Sequence, residues 1–156
     1  MKHLRRFNEG LSSNEYDELK DFSDSCLVYL LDEGFELELV DRYGRESNDP
    51  SYDEDSEYLW IDLYGPRDDE GNNSNFSWQE VKDYYIPFIQ LLKNRYKLFD
   101  DEREYKGDQI YFKVQTGLRF DEHSFMNYKI EEVINDSIPL NGDNIFTLSV
   151  KIGGKI

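Results

Sequence analysis

The hydrophobic period of this chain changes abruptly at Gly34. Upstream, Tyr16, Leu19, Phe22, Cys26, Leu27, Leu30 and Leu31 recur at three- and four-residue intervals, which places them on one stripe of an α-helix. Downstream, Phe35, Leu37 and Leu39 alternate with Glu36 and Glu38, the pattern of a strand with one wet face. A glycine between the two patterns can take the left-handed conformation that ends a helix. Ser12 and Glu15 have the spacing of a capping box, so the pattern predicts a helix over Ser13 to Glu33 running directly into a strand. With both periods back to back, the chain is committed to a mixed α and β fold.

The later segments follow the same logic. Leu59, Ile61 and Leu63 form one face of a second strand, and Tyr58, Trp60, Asp62 and Tyr64 form the other. Ser77 with Glu80, and Phe76 with Val81, give a capping box and a hydrophobic staple, so a helix should begin at Trp78. Its apolar side continues through Tyr84, Tyr85, Phe88, Leu91, Leu92 and Tyr96, with a kink expected near Asp83 from Pro87. Ile110, Phe112 and Val114 mark a third strand ended by Gly117, and Lys97 to Phe99 is a candidate hairpin partner for it. A short helix is predicted over Ser124 to Asn135. After the Asn141-Gly142-Asp143 turn, Phe146, Leu148, Val150 and Ile152 mark a final strand, beyond which residues 153–156 should fray.

The resulting order is α-β-β-α-β-α-β, an α+β fold. The expected architecture is a four-stranded mixed sheet with helices on one face, by analogy a permuted ferredoxin-like sandwich with its last strand in a central slot. No repeat or linker divides the chain. Residues 1–11 read as a basic amphipathic leader carrying Lys2, Leu4, Arg5, Arg6 and Phe7, and residues 12–156 as a single acidic domain.

Charge narrows the partners. The net charge is −16 while aromatics reach 15%, too many for a disordered chain. A field of that sign disfavours nucleic-acid phosphate and anionic lipid and favours a basic protein surface. Eleven acids against three arginines lie between Asp41 and Glu70, which is half the net charge. Much of it sits in two polar segments. One is an acidic loop over Gly44 to Glu57, expected to be mobile, with Asp53, Glu54, Asp55 and Glu57; the other is Gly65 to Asn75, with Asp68, Asp69 and Glu70 at its tip. No apolar run is long enough for a membrane helix, and the single Cys26 rules out an internal disulfide and fits a reducing compartment.

Signatures of chemistry are sparse. Asp53, Asp55 and Glu57 alternate like cation ligands, but counting from Asp53 the glycine and glutamate positions of a calcium loop hold Tyr58 and Tyr64, so a solvated acidic loop is expected and no metal. His3 and His123 have no ligand partners at metal spacing. Hydrolase, nucleotide-binding and metalloprotease motifs are absent, and no cofactor is expected. Asp62, mid-strand among aromatics, is the one carboxylate placed for acid–base work, and no second catalytic group accompanies it in sequence.

The opening Met1-Lys2-His3-Leu4-Arg5-Arg6-Phe7-Asn8-Glu9 resembles the Met-Lys-x-Leu-x-x-Phe-Asn-Glu start of small proteins of large tailed bacteriophages. The helix ending Tyr29-Leu30-Leu31-Asp32-Glu33-Gly34-Phe35 and the Trp78 to Leu92 segment look like the body of some of them. The resemblance implies a phage accessory protein in the cytoplasm of an infected bacterium. The leading expectation is a non-enzymatic module whose acidic loops and Tyr58-Trp60-Asp62-Tyr64 face engage a basic protein. The alternatives are a virion-packaged protein addressed by its leader, a DNA mimic acting on a host nucleic-acid-binding protein, and a small enzyme using Asp62.

Overall fold

The computed structural model describes residues 13–41, 44–52, 58–98, 111–116, 125–138 and 145–155. The elements run α1 (Ser13–Cys26), α2 (Val28–Asp32), β1 (Glu36–Val40), β2 (Leu59–Tyr64), α3 (Trp78–Arg95), β3 (Tyr96–Leu98), β4 (Tyr111–Thr116), β5 (Phe125–Lys129), α4 (Ile130–Ile134) and β6 (Ile145–Lys155). The leader, including Lys2, Leu4, Arg5, Arg6 and Phe7, lies outside the described residues, as does Ser12 of the first capping box.

The fold is α+β, and its sheet corrects the sequence reading in two respects. Among the described residues it has six strands rather than four, with β1-β2-β6-β4-β5 in order and the short β3 also paired to β6. All five ladders are antiparallel, so the sheet is not mixed. No adjacent parallel pair of the kind a ferredoxin-like crossover leaves is present among the described residues. The last strand does take a central place, hydrogen-bonded to β2, β3 and β4.

Local signals explain most element boundaries. At the start of α3 the Ser77 side chain accepts from the Glu80 N–H, and the Glu80 side chain accepts from the Ser77 N–H. The staple residues Phe76 and Val81 are both buried. Gly34 has φ +98, the left-handed stop that the sequence requires. The first helix is two rather than one. Leu27, fully buried, sits at φ −107 and ψ 19 and separates α1 from α2, although Leu27 N–H to Ser23 O and Leu31 N–H to Leu27 O bridge the break at 3.0 Å each.

Three further expectations fail for tertiary reasons. Residues 125–129 form β5, paired with β4 over five positions, so only Ile130–Ile134 is helical; a five-residue window of apolar residues cannot separate the two periods. Tyr96–Leu98 leaves α3 directly and pairs with β6 instead of forming a hairpin with β4. The same pairing brings Lys155 opposite Tyr96, so the chain end through Lys155 is strand and not frayed. Helix α3 continues through Pro87 without interruption.

One apolar cluster holds these layers together. Leu37, Leu39, Leu59, Ile61, Leu63, Leu148, Val150 and Ile152 of the sheet meet Tyr16, Leu19, Leu30, Val81, Tyr85, Phe88, Ile89, Leu92 and Val133 of the helices. The register sets Leu37 opposite Leu63 opposite Leu148, and Leu39 opposite Ile61 opposite Val150, so whole rungs share one face. Each such leucine contributes about 1.5–3 kcal/mol by leaving water. Tyr16 also donates its hydroxyl to the Leu39 carbonyl at 2.9 Å, tying α1 to β1. Within α3 the buried stripe is Val81, Tyr85, Phe88, Ile89 and Leu92; Tyr84 and Leu91, expected on the apolar side, are exposed at its flanks.

Candidate functional site

The apolar residues of β1, β2 and β6 face the helices, so the alternate residues stand on the other face of the sheet. There Glu36, Glu38 and Val40 pair with Tyr64, Asp62 and Trp60, which in turn pair with Thr147, Ser149 and Lys151. Of the sequence-predicted site residues, Tyr58, Trp60, Asp62 and Tyr64 are therefore brought together on one strand face, each half-buried. Tyr58 packs edge-on to Trp60 at 6.3 Å between centroids, and Tyr64 edge-on to Phe146 at 5.9 Å. These contacts hold the rings in fixed orientations on a rigid strand.

Two carboxylates, Glu38 and Asp62, are cross-strand partners on this face. The Arg67 guanidinium, its pKa raised first by its hydrogen bond to Glu36, lies close enough to this pair for the Glu38 charge to raise it further. Glu36, next along β1, is already engaged, its carboxylate accepting both Nε–H and Nη2–H of Arg67.

Lys151 joins this face without a signal in the sequence. It lies on this face opposite Trp60, is only 1% exposed, and its Nζ sits 3.8 Å from the Tyr58 ring centroid and 5.6 Å from that of Trp60. An ammonium over aromatic faces is attracted by the ring quadrupole. In the sequence Lys151 is one polar position between Val150 and Ile152. Nothing in a single strand shows what the neighbouring strand stacks on it.

The remaining predicted residues separate. Asp53, Glu54, Asp55 and Glu57 lie outside the described residues. Asp68, Asp69 and Glu70 are exposed at the tip of a small hairpin closed by the Arg67–Asn73 bridge. Asp68 shapes that tip, accepting from the N–H groups of Glu70 and Asn72 at 2.9 Å each, while Gly71 turns the chain at φ +81. The first acidic loop is folded back through Tyr52. Asp49 accepts from the Ser51 N–H at 2.8 Å, and the Tyr52 ring meets Tyr16 edge-on at 5.7 Å. Its described part, residues 44–52, is folded by these turns.

Burial pushes the Cys26 thiol up, away from a reactive thiolate. Tyr85 is raised well above its ordinary value by burial, with the Asp62 charge adding to the shift. Among the described residues no three ligand-type side chains come together to hold a metal, and no helix is long and apolar enough to cross a membrane. No family model, curated protein or solved structure matches this chain.

Proposed function

We propose that this chain is a non-enzymatic interaction module that engages a basic protein surface through the Tyr58-Trp60-Asp62-Tyr64 face of its sheet. The observation that carries the reading is the Glu38–Asp62 cross-strand pair between half-buried aromatic side chains. Aromatic anchors inside a charged rim are the anatomy of an interface hot spot. The intramolecular contact of Lys151 with Tyr58 and Trp60 is the same chemistry in miniature, since these rings already hold one ammonium. The net charge of −16 adds long-range attraction for a cationic partner. The setting is that of a phage accessory protein, a proposal resting on the resemblance of residues 1–9 and, more loosely, of the 29–35 and 78–92 segments.

The test is capture from bacterial lysate at low and high salt with the wild type, Trp60→Ala and Asp62→Asn side by side. The expected result is a basic protein retained by the wild type at low salt, released at high salt, and lost from both variants. Equal capture by all three proteins refutes the reading.

A further inference from the structure

A second surface lies on the helical side of the molecule, away from the sheet face. Between α2, the start of α3 and the 65–76 hairpin is a groove of about 650 Å³, within the size range of ligand sites. Its floor is apolar, made by Leu30, Phe35 and Phe76, which are buried beneath it. Phe35 and Phe76 meet edge-on at 5.3 Å, which fixes that floor. One wall is aromatic. Tyr29 and Tyr84 stand 5.6 Å apart with their planes 32° from parallel, and they are 65% and 39% exposed. Large aromatics left in water at these levels, one on each of two adjoining helices, are not required by the core.

The lining also carries three carboxylates, Asp32, Glu33 and Glu80, and among the described residues no basic one. Glu80 is partly occupied, accepting from the Ser77 N–H at 3.2 Å. Asp32 and Glu33 are exposed and make no ion pair with any described residue. An apolar floor, an aromatic wall and a negative rim are complementary to one kind of side chain, a long aliphatic stem ending in a planar cation. Arginine fits this best, because its guanidinium stacks on aromatic faces and also forks onto carboxylates.

We propose that this groove receives an arginine side chain, flanked by apolar residues, from a segment of another protein. The stem lies on Leu30, Phe35 and Phe76, the guanidinium stacks on Tyr29, and Asp32 and Glu33 accept its N–H groups. The site is independent of the sheet face, so either surface can fail without the other.

The probe is the peptide acetyl-Leu-Arg-Leu-amide, titrated into the intact isotope-labelled chain and followed by amide and tyrosine-ring NMR shifts. Shifts are expected to concentrate on Tyr29, Tyr84, Glu33 and Asn75 and to vanish when citrulline, neutral and nearly isosteric, replaces arginine. Tyr29→Ala, and separately Asp32→Asn with Glu33→Gln, should each weaken binding roughly three- to tenfold. Asp17→Asn with Asp21→Asn removes the same charge from exposed positions on α1 and should change it less than twofold. Equal weakening by that control makes the attraction a general field effect and overturns the proposal, and shifts mapping elsewhere do the same. Binding that emerges only after Lys2, Arg5 and Arg6 are changed to Gln assigns the groove to the chain's own leader. Concentration-dependent masking of the groove, seen by sedimentation, assigns it to a second copy. Either result overturns the partner proposed here.

Discussion

Gly65→Ala should be the most damaging single-methyl addition among Gly34, Gly44, Gly65 and Gly71. A Cβ built there would lie 2.2 Å from the Ser74 carbonyl oxygen, 3.2 Å from its carbon and 3.1 Å from Cδ1 of Phe76. The first neighbour is backbone and cannot rotate away, so the two limbs of the hairpin must separate by about 1 Å to restore van der Waals contact. That shift strains three bonds: Ser74 N–H to Pro66 O at 2.8 Å, Ser74 Oγ–H to the same oxygen at 2.7 Å, and Asn73 Nδ2–H to Gly65 O at 2.9 Å. Overpacking costs about 1–3 kcal/mol and each weakened hydrogen bond up to about 1 kcal/mol, so a loss of about 2–4 kcal/mol is expected. With a urea m-value of about 2 kcal/mol/M for a chain of this size, the midpoint should fall by about 1–2 M. Gly71→Ala is the contrast. There nothing lies within 4 Å of the added methyl and only the strain of φ +81 remains, about 1–2 kcal/mol. A Gly65→Ala midpoint within 0.3 M of wild type would refute the steric argument.

Other substitutions probe other joints. Phe88→Ala, at a fully buried position in contact with Phe22 and Tyr85, should destabilise by about 3–5 kcal/mol by denaturant titration, and Phe88→Leu by markedly less. Tyr16→Phe, which removes the donor to the Leu39 carbonyl, should cost about 0.5–1.5 kcal/mol by the same measure. Asp136, at φ +52, is held below the usual carboxylate range first by Lys82 and then by the Trp78 indole N–H, at 2.9 and 2.7 Å. A depressed folded value stabilises the protein above the ordinary carboxylate pKa, and that contribution is lost as pH falls through the folded value. Asp136→Asn should therefore be less stable than wild type at pH 7, with the gap closing below about pH 4. Unfolding curves at both pH values check this, and a gap that widens in acid would refute it.

What could be read from sequence was whatever is decided locally. The Ser77–Glu80 cap, the stop at Gly34 and the two faces of β2 each depend on residues within a few positions of one another, and each appears in the structure. Long-range pairing was not legible. Phe125 to Lys129 could be helix or strand by pattern, and the ladder with β4 decides for strand. Tyr96 to Leu98 finds β6 across more than forty residues. The site followed the same division. Alternation alone put Tyr58, Trp60, Asp62 and Tyr64 on one face, whereas the Glu38 opposite Asp62 and the Lys151 beneath the rings belong to neighbouring strands. The exposed Tyr29 left a trace in the sequence, since it falls off the stripe formed by Leu27, Leu30 and Leu31.

The proposed interface requires water to reach Trp60 beside an excess of negative charge, and tryptophan fluorescence tests both. The chain has two tryptophans; Trp78 is 2% exposed and Trp60 is half-buried, so quenchers added to water should reach Trp60 first. Stern–Volmer titrations with neutral acrylamide, caesium and iodide at equal ionic strength separate access from charge. Acrylamide should quench one class of tryptophan, and caesium should quench that class more strongly than iodide. A Trp60 beyond the reach of acrylamide, or quenched better by iodide than by caesium, would contradict the proposed interface.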